Sequence, residues 1–115
     1  MYTLIILVLL VAPRHVVFHP DRLTLRAFPR MAMSPANILF TAEIVEARDL
    51  DCPKFIWTYP DDTQSTDESD CDPNDHPDTV RDSKRLTLPE GEWTIVVEAV
   101  QGKKSRRAAI TVYVH

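Results

Sequence analysis

The 115-residue chain has only two glycines and two cysteines, and its longest uninterrupted apolar run, residues 4–12, is nine residues long. With so little glycine, the sequence has none of the glycine-rich loops that cradle phosphate groups. A helix of nine residues is about 14 Å long, whereas a membrane-spanning helix must cross about 30 Å of hydrocarbon. The sequence also has no Gly-x-Ser-x-Gly and no His-Glu-x-x-His motif, which mark two large classes of hydrolase. We therefore expect neither a membrane span nor an enzyme.

The charge of the chain is slightly negative and unevenly distributed. The net charge of −4 gives no reason to expect nucleic acid as a partner. Eight acidic residues and no Lys or Arg lie in residues 61–78, whereas a basic patch follows at Lys103, Lys104, Arg106 and Arg107. The basic patch is either a charged turn that deters edge-to-edge strand pairing or a contact site for an anionic surface. A third interpretation pairs it with the acidic stretch of a second copy, which would allow head-to-tail association.

The apolar run at the start of the chain is typical of a secretory signal peptide. We predict a signal peptide in residues 1–12, a connector or loose N-terminal strand in residues 13–21, and one domain in residues 22–115. The alternative is that the apolar run is a retained strand or helix. Export would place the protein in the secreted, periplasmic or cell-surface fraction.

Cys52 and Cys71 are the two cysteines of the chain. An even number of cysteines behind an export signal favours a disulfide between them. Two free cysteines in a reducing compartment are the alternative. A metal site built on them is not expected, because the two cysteines do not form a Cys-x-x-Cys motif.

Apolar and polar residues alternate through most of residues 22–115, which predicts β-strands. The alternating segments are residues 23–28, 38–45, 54–59, 81–88, 93–100 and 108–115. No helical period occurs beyond the leader, so we predict an all-β, antiparallel sandwich of about seven strands. We expect its core to contain Phe40, Trp57, Trp93, Ile95, Val97, Ile110 and Val112. Residues 60–78 have almost no apolar residue and three prolines, and we expect them to form a loop.

Three stretches, taken in order, resemble the PKD-type immunoglobulin-like domain of exported bacterial and archaeal proteins. The stretch "SPANILFTAEI" is similar to the second strand of that family, and "FIWTYPDDTQS" to its tryptophan-bearing third strand. The closing "LPEGEWTIVVEAVQGKKSRRAAITVYV" is similar to its Pro-Gly-x-Tyr-x-Val ending, with Trp93 at the aromatic position. The third strand of the family runs into a Gly-Asp-Gly turn, where this chain has Tyr59-Pro60-Asp61-Asp62. The resemblance implies an immunoglobulin-like sandwich used for display, spacing or adhesion.

The acidic stretch contains the candidate metal ligands. Asp70-x-Asp72-x-Asn74 begins like a calcium loop, in which alternating oxygens converge on the cation, although Asp75 and Arg81 replace the turn glycine and the closing Glu. The candidates for an irregular calcium site are Asp61, Asp62, Asp67, Asp70, Asp72 and Asn74. The alternative is a solvated loop whose charge keeps the protein soluble, and no other cofactor is expected.

The two tryptophans, Trp57 and Trp93, offer a sugar-stacking pair, but both fall on predicted core faces and we interpret them as packing between the sheets. Together these features favour a non-catalytic, exported immunoglobulin-like module that acts by protein–protein or cell-surface contact. One alternative is a calcium- or carbohydrate-binding module that uses residues 61–78. The other is a self-assembling extracellular structural subunit.

Overall fold

The computed structural model describes residues 22–72 and 74–115. The signal peptide and connector predicted for residues 1–21 lie outside these residues. The described chain is all-β and forms an immunoglobulin-like sandwich of two sheets, as predicted, with eight strands rather than about seven. The strands are β1 Arg22–Phe28, β2 Met31–Ala32, β3 Ala36–Val45, β4 Lys54–Thr58, β5 Gln64–Glu68, β6 Thr79–Leu88, β7 Gly91–Gln101 and β8 Lys104–Val114. Nowhere in these residues is there a helix long and apolar enough to cross a membrane.

The strands are divided between a three-stranded sheet, in the order β1-β3-β6, and a five-stranded sheet, in the order β2-β8-β7-β4-β5. Every neighbouring pair is antiparallel except β2 and β8, which are parallel. The chain crosses from one sheet to the other at each connection from β1 to β4, and again between β5 and β6 and between β6 and β7. This order, with a buried tryptophan on β4, is typical of immunoglobulin-like sandwiches.

The core lies between the sheets and is filled by alternate side chains. On β3, every second side chain from Ile38 to Ile44 is fully buried, because successive residues of a strand point to opposite faces. Trp93 and Ile110 are partly buried and pack against this core. The other predicted core residues are fully buried: Phe40, Trp57, Ile95, Val97 and Val112.

The prediction that residues 60–78 form a loop is wrong for Gln64–Glu68, which form β5. This strand pairs with β4 from Thr58 opposite Gln64 to Lys54 opposite Glu68, and it is the edge of the five-stranded sheet. Its side chains alternate between exposed and half-buried positions, so none of them needs to be apolar. This strand is therefore formed by backbone pairing with β4, and it cannot be recognised in the sequence from a period of apolar residues.

The register defines two ends of the sandwich. In the β3–β6 pair, Ala36 lies opposite Leu88 at one end and Val45 lies opposite Thr79 at the other. We call the first end, with residues 29–35, 59–63 and 89–90, the aromatic end. The second end, with residues 46–53, 69–78 and 102–103, contains the bond between Cys52 and Cys71, and we call it the disulfide end.

Candidate functional site

Each end of the sandwich carries a cleft. The acidic cleft, of about 380 Å³, lies towards the disulfide end and is lined by residues of β5, β6 and the loops 49–53 and 69–78. The aromatic cleft, of about 390 Å³, lies at the aromatic end between the β4–β5 turn and the start of β7. Both are shallow, so each is a surface feature rather than an enclosed cavity.

The acidic cleft is built on a hydrogen-bonded group that joins the two sheets. Trp57 on β4 donates its indole N–H to Oδ2 of Asp82 on β6 at 2.8 Å. Lys84, also on β6, places its Nζ 2.9 Å from Oδ1 and 2.8 Å from Oδ2 of Asp67 on β5. Since β6 belongs to one sheet and β4 and β5 to the other, this group fastens the edges of the two sheets together.

The two carboxyl groups of this cleft titrate as a pair. Burial, together with a hydrogen bond to Asp67, raises the pKa of Asp82 above its ordinary value of 3.8. The hydrogen bond from Asp82 and the contact with Lys84 lower the pKa of Asp67, and the same contact raises the pKa of Lys84. The pair therefore holds a proton on Asp82 in preference to Asp67, whose charge Lys84 balances.

The predicted disulfide is present and closes this end of the molecule. The Cα atoms of Cys52 and Cys71 lie 6.0 Å apart, and the bond closes a segment with a sequence separation of 19. A loop of this size stabilises the folded chain by about 3 kcal/mol in the chain-entropy account. Disulfides of this kind are typical of oxidising compartments.

Side chains tie the disulfide end further. The backbone N–H of Cys52 donates to Oε1 of Gln101 at 2.7 Å, and Nε2 of Gln101 donates to Oδ1 of Asp51 at 3.2 Å. The Nδ1 atom of His76 lies 2.9 Å from Oδ2 of Asp51, and the hydrogen bonds from His76 and Gln101 lower the pKa of Asp51. The hydroxyl of Ser69 donates to the carbonyl of Pro53. The side chains of Asp51, Ser69 and Gln101 are therefore engaged within the fold.

The structure separates the predicted metal ligands. Asp61 and Asp62 lie in the β4–β5 turn at the aromatic end, whereas Asp70, Asp72 and Asn74 lie at the disulfide end, beyond the opposite end of that hairpin. A five-residue strand is about 17 Å long, so one cation cannot contact both groups. The sixth candidate, Asp67, lies on β5, and its carboxylate is bound to the Lys84 ammonium.

Turn formation accounts for two of these carboxylates. Oδ1 of Asp61 accepts hydrogen bonds from the backbone N–H and hydroxyl of Thr63 at 3.1 and 2.6 Å, which lower the pKa of Asp61. Oδ1 of Asp72 accepts the backbone N–H of Asn74 at 2.9 Å. In residues 22–72 and 74–115, no three His, Cys, Asp or Glu side chains are grouped so that they could hold a metal ion. Calcium binding stays a prediction.

The basic patch lies at the disulfide end as well. Lys103 is in the β7–β8 turn, whereas Lys104, Arg106 and Arg107 belong to β8. The Nζ atom of Lys104 is 3.9 Å from Oδ2 of Asp49. Head-to-tail association by charge attraction would require the basic patch and the acidic loop 69–78 to lie at opposite ends of the molecule. They lie at the same end, so the charge distribution does not support this association.

The aromatic cleft contains Trp93, which the fold holds in place. Its indole N–H donates to the carbonyl of Pro89 at 2.8 Å, four residues upstream at the turn into β7. Aromatic side chains at this position of immunoglobulin-like sandwiches commonly bond back to the preceding corner. Gly91 has a φ of +144°, and a Cβ there would lie 3.1 Å from the Trp93 ring, so a glycine is required for this packing.

Tyr59 lines the same cleft from the β4–β5 turn. Its hydroxyl lies 2.6 Å from Oγ of Ser65. The turn is closed by hydrogen bonds from the N–H of Tyr59 to the carbonyl of Thr63 at 2.9 Å and from the N–H of Asp62 to the carbonyl of Tyr59 at 2.8 Å. Asp62 adopts a φ of 69°, in the left-handed region that favours glycine, Asn and Asp.

Large apolar side chains are exposed at the aromatic end. Phe28, Met31 and Met33 are 79%, 63% and 77% exposed, and Tyr113 is 38% exposed. We call these four residues the apolar patch. Tyr113 lies opposite Met31 on one side and opposite Glu92 on the other, so the apolar patch adjoins the aromatic cleft.

Sequence reasoning did not identify the aromatic cleft or the apolar patch. Met31 and Met33 lie among prolines without a strand period, and the alternation of residues 108–115 indicates only that Tyr113 faces away from the core. The nearest signal was the proline-bounded "FPRMAMSP", three large apolar residues in a segment too short to bury them.

No protein-family model matches the chain, and searches of curated proteins and of solved structures found no significant match either. The membership of the PKD-type family therefore stays a prediction that rests on the resemblance of the three stretches.

Proposed function

We propose that the chain is a non-catalytic, exported immunoglobulin-like module that acts by contact with a protein partner at its aromatic end. The observation that carries this proposal is the apolar patch. Monomeric proteins rarely expose large apolar side chains in a group, and such groups mark interaction sites. Met and aromatic residues are also the types enriched in the centres of protein interfaces.

Three further features support the proposal. The disulfide is typical of a protein that folds in an oxidising compartment, which agrees with export and with a cell-surface or secreted location. Two of the carboxylates that line the acidic cleft, Asp67 and Asp82, are engaged with Lys84 and Trp57 and are therefore not free for a ligand. The two-sheet architecture presents loops and outer faces rather than a deep pocket, which suits a contact module.

Binding to the surface of the producing cells tests the proposal. The variant Phe28→Ser/Met31→Ser/Met33→Ser should keep its melting temperature, because these three side chains of the apolar patch are largely exposed. We expect it to lose at least tenfold in apparent affinity, since a few central side chains dominate most interfaces. The labelled purified proteins are compared by flow cytometry.

The matched control is Lys103→Ser/Lys104→Ser/Arg107→Ser, which alters three side chains at the disulfide end. It should bind the cells as the unmodified protein does. If the control loses binding and the apolar-patch variant keeps it, the contact surface is at the disulfide end and the proposal is wrong.

A further inference from the structure

The aromatic cleft exposes part of two aromatic rings that otherwise pack against the core. The polar atoms of its two aromatic side chains are bonded internally, Trp93 Nε1 to the carbonyl of Pro89 and the Tyr59 hydroxyl to Ser65. What these side chains still offer to a ligand is therefore the part of each ring's π-surface that lines the cleft. Because both rings are fixed by these bonds, little conformational entropy would be lost on binding.

Two carboxylates stand beside these rings. Asp62 and Glu92 both line the aromatic cleft and are exposed. Neither side chain forms an ion pair or a hydrogen bond with the residues that the structure describes. Their state contrasts with that of Asp67 and Glu43, which are paired with Lys84 and Arg81. The cleft thus combines aromatic surface with two carboxylates that form no ion pair with the described residues.

This combination selects a cation. A cation over the face of Trp or Tyr is attracted by the ring quadrupole, and a nearby carboxylate adds a charge-assisted hydrogen bond. The guanidinium of arginine satisfies both requirements, because it stacks on rings and donates in a planar fork. A neutral sugar would also stack on the rings and donate hydroxyls to the carboxylates, but it would gain neither ion-pair nor cation–π attraction.

We propose that the aromatic cleft binds a cationic side chain of the protein partner, arginine foremost, between the rings of Tyr59 and Trp93 and the carboxylates of Asp62 and Glu92. For its biological meaning this inference rests on the proposed contact function. The apolar patch adjoins the cleft through Tyr113 and Glu92, so it would pack around an arginine anchored there.

A small-molecule titration tests the cleft without any partner. N-acetyl-arginine amide is titrated into uniformly ¹⁵N-labelled protein, and the two indole N–H signals are followed by NMR. We expect the Trp93 signal to shift and saturate in the millimolar range. The Trp57 signal is an internal control, because its ring is fully buried and its N–H is bonded to Asp82. N-acetyl-citrulline amide, the uncharged isostere of the ligand, should cause no comparable shift.

The variant Asp62→Asn/Glu92→Gln removes both charges and keeps the shape of the cleft, and Asn tolerates the left-handed backbone of position 62. It should bind the arginine derivative about fivefold more weakly, and the difference should shrink as salt is raised. The control variant is Glu68→Gln, an exposed carboxylate at the other end of β5, which should bind as the unmodified protein does.

Several results would overturn the proposal. They are an unmoved Trp93 signal at tens of millimolar ligand, equal shifts with citrulline, or equal affinity in the double variant. Binding of methyl β-glucoside in preference to the arginine derivative would replace the cation with a carbohydrate. If the cleft fails these tests while the apolar-patch variant still loses cell binding, the contact function stands and only the cationic anchor is wrong.

Discussion

The acidic cleft and the aromatic cleft each combine a tryptophan with carboxylates, but the fold uses the two sets differently. Two carboxylates of the acidic cleft are paired within the fold, since Asp82 accepts the N–H of the fully buried Trp57 and Lys84 balances Asp67. In the aromatic cleft, the Trp93 ring reaches the surface and the neighbouring carboxylates have no partner among the described side chains. The comparison teaches that the number of charges in a segment does not indicate a binding site. What matters is whether the fold has already paired them.

The largest expected effect is the difference between the two tryptophans in the loss of unfolding free energy when each is replaced by alanine. Trp57→Ala should lower the free energy of unfolding by about 3–5 kcal/mol, because it leaves a cavity between the sheets and an unpaired Asp82. Trp93→Ala should cost only about 1–2 kcal/mol, since its ring is partly exposed and it loses one hydrogen bond to Pro89. Urea unfolding of both variants measures the difference. Equal losses, or a near-neutral Trp57→Ala, would contradict the assignment of Trp57 to the core and of Trp93 to the surface.

A smaller effect tests the paired carboxyl groups of the acidic cleft. Because the pKa of Asp82 is raised in the folded state, its contribution to stability is complete below 3.8 and is lost as the pH rises through the folded-state pKa. Asp82→Asn imitates the protonated form, since an amide can accept from the Trp57 N–H and donate to Asp67. The substitution should therefore stabilise the protein at pH 7, by about 0.5–1 kcal/mol, and the gain should vanish at acidic pH.

The corresponding substitution at the other carboxyl group of the pair, Asp67→Asn, should have the opposite effect on stability. The pKa of Asp67 is lowered, so its contribution is present above 3.8 and is lost as the pH falls through the folded-state value. Asp67→Asn should therefore destabilise the protein at pH 7, because Lys84 loses its partner. Unfolding midpoints measured from pH 3 to pH 7 follow both variants. At pH 7 we expect Asp82→Asn to stabilise the protein and Asp67→Asn to destabilise it. If both substitutions destabilise the protein at pH 7, the assignment of the proton to Asp82 is wrong.

Much of the fold could be predicted from the sequence because it follows from side-chain period. The alternation in residues 38–45 and 93–100 places Phe40, Ile95 and Val97 in the core, as observed. The disulfide was expected from the even number of cysteines and the apolar run of residues 4–12. The edge strand β5 could not be predicted in this way, because a strand that buries little apolar surface leaves no apolar period.

The candidate site could be predicted only in part. Residues 61–78 were correctly singled out as charge-rich, but no sequence rule indicates that β5 separates Asp61 and Asp62 from Asp70 and Asp72. The aromatic cleft depends on contacts between distant segments. Trp93 and Tyr59 are 34 positions apart in the chain and meet only because β4 pairs with β7. Pairing between strands distant in sequence is therefore the information that residue patterns did not supply.

Collisional quenching of tryptophan fluorescence tests most directly the claim that one tryptophan belongs to the core and the other to an open, negatively charged cleft. In Trp57→Phe, which retains Trp93, caesium ions should quench the emission strongly and iodide weakly, because Asp62 and Glu92 attract the cation and repel the anion. In Trp93→Phe, which retains Trp57, neither ion should quench. The account would be contradicted if iodide quenched Trp93 as strongly as caesium does, or if Trp57 were quenched as readily as Trp93.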